Sequence, residues 1–95
     1  MIKANRARDL TFRNQQALVS EFIEKRKDIL NKVDYSIRQA LKKGFYETNI
    51  KIDKDLEDFS DFDFDILKMI LENDGYKIDR DFGYVASIVF DVRWY

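Results

Sequence analysis

Apolar positions along this chain recur in two different rhythms. Between about Asn14 and Lys43 they fall at three- and four-residue steps: Val19, Phe22, Ile29 and Leu30, Val33, Ile37 and Ala40, with Leu18 and Leu41 widening the stripe. That spacing keeps one side of a helix apolar. It predicts a single helix over 14–43, interrupted on its apolar side by Arg26. Lys42 and Lys43 suit the negative end of its dipole, and Gly44 suits a left-handed stop, with Phe45 folding back toward Ala40. Upstream, Ala4, Ala7 and Leu10 predict a short helix or ordered arm over 1–13, and Thr11 reads as the N-cap of the longer helix.

After Gly44 the rhythm shortens. Tyr46, Thr48, Ile50 and Ile52 alternate with Glu47, Asn49 and Lys51, the pattern of a half-buried strand. Ser60 with Asp63 three residues on predicts a capping box, and a second helix follows over about Asp61 to Asn73. Phe62, Ile66, Leu67, Met69, Ile70 and Leu71 supply its apolar face, and Asn73-Asp74-Gly75 ends it. Tyr76, Ile78 and Arg80 open a second strand, which turns near Asp81-Phe82-Gly83. In the last strand Ala86, Ile88, Phe90, Val92 and Trp94 share one face. The expected fold is α+β in the order α-β-α-β-β: a long N-terminal helix, a three-stranded mainly antiparallel sheet and a second helix. Helices cover one sheet face, and the last strand lies between the other two. Residues 1–95 make one domain, with 1–13 as the arm, 14–43 as the long helix and 45–95 as a β-α-β-β unit.

Length adds a constraint. Thirty helical residues span about 45 Å, whereas a compact domain of this size is roughly 30 Å across. A straight helix over 14–43 would overhang its domain and leave apolar surface in water. A second chain is the simplest cover, so a homo-oligomer is expected, with Val19, Phe22, Leu30, Val33 and Ile37 at its interface. The alternative is a break within Glu24-Lys25-Arg26-Lys27-Asp28, a run with no apolar residue.

Composition removes several chemistries. The chain has no Cys, His or Pro and three Gly. Disulfides, thiolate metal sites, histidine general bases and glycine-rich phosphate loops are therefore excluded. No cofactor is expected. No apolar run approaches the roughly 20 residues of a membrane span, and the N-terminus lacks the apolar core of a secretory signal. The chain reads as soluble and cytoplasmic.

The net charge of −1 hides an asymmetry. Residues 1–44 carry 11 basic against 5 acidic side chains, and residues 45–95 carry 6 against 13. Arg6, Arg8, Arg13 and Arg26 in the basic half are the candidate ligand-binding residues, because arginine suits bidentate contact with phosphates. Asp53, Asp55 and Glu57 match the first ligand positions of a calcium loop, but Asp58 stands where glycine is needed and Phe64 where the closing glutamate belongs, so a solvated helix entry is expected instead. The element order is similar to that of a winged helix. In that family the helix before the hairpin enters the major groove. Here that helix carries Asp61, Asp63, Asp65 and Glu72 against Lys68 alone, and phosphates would repel it. Phe22, Phe62, Phe64, Phe90 and Trp94 sit at core spacing; Tyr35, Tyr84 and Tyr95 do not, and suit a contact surface.

Ala7-Arg8-Asp9-Leu10-Thr11, the helix closing on Ala40-Leu41-Lys42-Lys43-Gly44, Gly75-Tyr76 before a strand, and the terminal Val92-Arg93-Trp94 together resemble small uncharacterised proteins of bacteriophages and prophages. The resemblance covers most of the chain and brings no catalytic residues with it. It implies a non-enzymatic binder in a host bacterial cytoplasm, taking a host protein or an anionic small molecule such as a nucleotide. Nucleic acid, met by the same basic half, is the alternative partner.

Overall fold

A computed structural model describes residues 1–95. Three helices and three strands follow one another as α1 (Ala4–Lys25), α2 (Lys27–Lys42), β1 (Glu47–Asp53), α3 (Asp61–Asn73), β2 (Lys77–Asp81) and β3 (Ser87–Arg93). The α+β expectation holds, with one helix more than the sequence pattern predicts.

The sheet has the order β1-β3-β2, and both outer strands run antiparallel to β3. Ile50 lies opposite Phe90, which lies opposite Arg80; Thr48, Val92 and Ile78 form the next row. Period-two alternation sends Ile50, Ile52, Ile88, Phe90 and Val92 inward, where each is almost wholly buried. Burial of side chains of this size stabilises the fold by roughly 1.5–3 kcal/mol each. Contacts place α2 against β1, α3 against β2 and α1 against α3. Phe64 of α3 meets Phe90 edge-on at 5.1 Å, which joins the two layers at the centre of the core.

The opposite sheet face is polar toward the ends of its strands, whereas Ser87 and Val89 of β3 are buried on it. Asn49 Nδ2 donates to Asp91 Oδ1 at 2.9 Å, and Arg93 is ion-paired with Asp79. Phe62, expected in the core, is 57% exposed instead. It lies in the first turn of α3, and its neighbours Phe64, Ile66 and Leu67 take the inward side.

Local signals close the elements as expected. Ser60 Oγ accepts the Asp63 N–H at 3.1 Å, and the Asp63 carboxylate accepts the Ser60 N–H at 2.9 Å. Gly44 has φ +78°, and the Phe45 N–H reaches the Ala40 carbonyl at 3.0 Å.

The predicted helix over 14–43 is corrected in two places. Its first half belongs to α1, which begins at Ala4 and passes through Thr11 without a cap, so the arm and the helix are one element. Its second half is α2, separated from α1 by the single residue Arg26 at φ −119°, ψ 44°. The physical reason for the break is tertiary. Continuing the helix would add about three backbone hydrogen bonds, each worth about 1 kcal/mol net. Turning instead buries Phe22 and packs Leu18 and Val19 against the core, and it places Arg26 on the loop before α3. The guanidinium donates to the Asp58 carbonyl at 2.6 Å and the Glu57 carbonyl at 2.7 Å, and it stands over the Phe59 ring at 5.9 Å. Hydrogen bonds from a charged donor contribute about 1.5–3 kcal/mol each, so the turn wins.

Val19, Phe22, Leu30, Val33 and Ile37, expected at a subunit interface, belong to this chain's own core. Phe22, Val33 and Ile37 are buried in it, and Val19 and Leu30 pack against it. The break lets the stripe fold back over its own sheet, which removes the need for a second chain to cover it.

Candidate functional site: a protruding basic helix

α1 runs antiparallel to α3. Its last turn meets the residues that open α3, through Arg26 and Asp58, while Phe12, Gln16 and Val19 lie beside Met69, Glu72 and Asn73 at the end of α3. Twenty-two residues span about 33 Å, and α3 is only 13 residues long. The first turns of α1 therefore extend past the body. The molecule measures 52 × 30 × 27 Å, with a radius of gyration of 15.0 Å. A compact chain of this length has roughly 12 Å.

Every residue from Met1 to Arg13 is exposed except the half-buried Leu10. The segment carries Lys3, Arg6, Arg8 and Arg13 against Asp9 alone, a balance of +3 that leaves −4 on the remainder. None of these cations has an ion-pair partner, in contrast to Lys25 with Glu21 at 2.8 Å or Arg38 with Asp34 at 2.7 Å. The first turn of α1 holds no acid and no side-chain cap, so the free N–H groups of Ala4 and Asn5 add to the positive potential, while the Arg6 N–H donates to Asn5 Oδ1 at 2.9 Å. Arg6 and Arg13, seven residues apart, share one side of the helix, whereas Arg8 is about 200° around from Arg6. Arg8 lies on the side that further along carries Phe22 into the core. At the base of the protrusion Phe12, Gln15, Gln16 and Val19 form a groove of about 820 Å³ with Met69 and Glu72.

Of the four candidate arginines, the fold brings Arg6, Arg8 and Arg13 onto one free rod and places Arg26 elsewhere. Arg26 lies about 20 Å along the helix from Arg13. Its side chain is 19% exposed and is occupied by loop carbonyls and by Asp28 and Asp63.

The acidic stretch from Asp53 to Asp65 is internally engaged. The Asp53 carboxylate accepts the Asp55 and Leu56 amides at 3.0 and 2.8 Å. Glu57 accepts the Asp53 amide and the Lys32 ammonium. Asp61 is bonded to Arg80 at 2.6 Å, and that hydrogen bond holds its carboxyl below the usual aspartate range. Asp63 closes the cap of α3. This is the helix entry expected from the pattern, reinforced by basic residues from distant segments.

Sequence reasoning passed over Arg80. Its guanidinium packs against the Phe82 and Phe64 rings, at 4.6 and 5.2 Å, on the inner side of β2. The signal was present: parity with Ile78 points Arg80 inward. Tyr35, Tyr84 and Tyr95 are exposed, outside the core. Tyr46 and Tyr95 meet edge-on beside a shallow depression lined by Phe45.

No helix is long and apolar enough to cross a membrane. No family model matches the chain, and neither a characterised protein nor a solved structure matches it. The functional reading therefore rests on the geometry of the protrusion.

Proposed function

We infer that this chain is a non-enzymatic binding protein that engages an acidic surface of a partner protein through the protruding helix. One observation carries the reading: four cations and one acid, Asp9, occupy a helical rod exposed at every residue but Leu10, and none of the four cations is ion-paired. Unpaired like charges held together repel one another, and an anionic partner relieves that repulsion. Phe12, 60% exposed above the groove at the base of the rod, supplies an apolar anchor beside the charges, a combination that suits a protein partner. The resemblance to small phage proteins points in the same direction. A free nucleotide fits less well, because a small anion needs a concave site and Arg6, Arg8 and Arg13 spread around a convex one.

Duplex nucleic acid is the second reading, and the placement of the arginines favours it specifically. A helix about 10–12 Å across fits a major groove of about 12 Å, and cations on opposite sides of it would face both phosphate strands.

Fluorescence anisotropy with labelled polyglutamate and a labelled DNA duplex tests both. Binding of polyglutamate that is weakened by Phe12→Ala supports the protein reading. Tighter binding of the duplex, unaffected by that substitution, supports the second. No binding of either at low salt removes both.

A further inference from the structure

The apolar stripe keeps its three- and four-residue spacing on both sides of Arg26, from Leu18 to Phe22 and from Ile29 to Ile37, and the fold turns it at that one residue. Nothing local demands the turn: residues 14–43 contain neither Gly nor Pro, and the run Glu24 to Asp28 consists mostly of sound helix formers. The helical ladder stops at the Arg26 N–H on the Phe22 carbonyl (2.8 Å) and resumes at the Leu30 N–H on the Arg26 carbonyl (3.1 Å). Between them, the amides of Lys27, Asp28 and Ile29 open α2 without helical partners. Arg26 is thus a hinge with no slack, held shut by its bonds to the Glu57 and Asp58 carbonyls. Short hinges under such constraint favour the exchange of an element between copies.

We propose that α1 is an exchangeable arm: the surface of α3 and the core that receives Leu18, Val19 and Phe22 also accepts α1 of a second copy of this chain, reached by straightening the hinge at Arg26. The occupant is specified by the fold itself, since the second copy offers the same side chains to the same surface. Every packing contact of α1 is regained in the exchange, and the three amides recover helical partners. Charge favours the same occupant. α1 ends in Lys25, and the body it docks against opens α3 with Asp61 and Asp63 and carries a net −3 over residues 26–95. The straightened helix would cover Ala4 to Lys42, about 58 Å, and two copies would pair about a two-fold axis with both basic tips free. The inference stands independently of what the arm binds.

The chain has no cysteine, so two engineered thiols report the arrangement cleanly. Val19 and Met69 line the same groove. Val19→Cys on one copy and Met69→Cys on a differently tagged copy are unfolded together, refolded at high concentration and treated with a short thiol cross-linker. A covalent pair joining the two tags, at twice 11.4 kDa, is expected. In unmodified thiol-free protein, Arg26→Ala should raise the dimer fraction measured by light scattering about tenfold, since it removes the latch and favours continuous helix. The proposal is overturned if the mixed tags never join while the doubly substituted chain cross-links within itself. It is equally overturned if only Val19–Val19 pairs form, or if folded Arg26→Ala stays at 11.4 kDa at every concentration. Should Arg26→Ala fail to fold, the mixed-tag experiment on the Arg26 background decides alone.

Discussion

The Arg26 guanidinium lies 2.6 Å from the carbonyl oxygen of Asp58, 32 residues further along the chain. This contact joins the turn between α1 and α2 to the loop that enters α3. Asp58 has φ +47°, the only non-glycine residue in the left-handed region, so the cation holds a strained carbonyl in place. Removing the side chain should therefore loosen two elements at once. Arg26→Ala is expected to lower unfolding free energy by about 2–3 kcal/mol, read from urea melts of the monomer at low concentration. Arg26→Lys should restore less than half, because an ammonium cannot span two carbonyls as a guanidinium does.

The capping box at Ser60 and Asp63 makes a smaller and more local contribution. Ser60→Ala is expected to destabilise by about 1 kcal/mol, and Asp63→Asn to lose part of the same increment. Hydrogen exchange in the first turn of α3 should accelerate in both variants, with the sheet unaffected.

Core and surface aromatics should separate sharply. Phe90→Ala removes a ring with no exposure and should cost about 3–5 kcal/mol, enough to unfold much of the population. Phe62→Ala, despite its place in an apolar run, should stay within about 0.5 kcal/mol of the parent, because Phe62 is mostly in water. Thermal melts of the two variants check both.

That contrast shows what can be read along a chain of this kind. Alternation and turn chemistry are local, so the inward set of Ile50, Ile52, Ile88, Phe90 and Val92, the Ser60 cap and the Gly44 stop were all legible. So were the central place of β3 and the exposure of Arg6, Arg8 and Arg13. The break at Arg26 was legible only as the alternative that the run Glu24 to Asp28, without an apolar residue, offered to a straight helix; its cause, a pair of carbonyls more than 30 residues away, has no pattern near Arg26 to encode it. The role of Arg26 was misread for the same reason. An arginine within an apolar stripe looks like a free charge until the loop that it binds is in place.

Acid should weaken the fold through carboxylates bonded to arginine. Asp61 is held below its usual range by Arg80, and Asp28 by Arg26. A depressed folded value means that the stabilisation is present above the ordinary aspartate range and is lost as pH falls through the folded value. Urea midpoints should thus be flat near neutrality and decline below about pH 4. Asp61→Asn should show a shallower decline than the parent. A parent and a variant with identical acid limbs would contradict the assignment.

The protruding helix is the centre of the functional account, and the salt dependence of its binding tests it most directly. Association of the parent and of an Arg6→Ala, Arg8→Ala, Arg13→Ala variant with labelled polyglutamate and with labelled duplex is measured against salt concentration. The triple variant should keep the parent's stability within about 0.5 kcal/mol, since these side chains contact nothing in the fold. Parent affinity should fall steeply with salt, and on duplex the variant's log–log slope should be shallower by up to about three. A variant that binds both probes as tightly as the parent, with the same slope, would contradict the account.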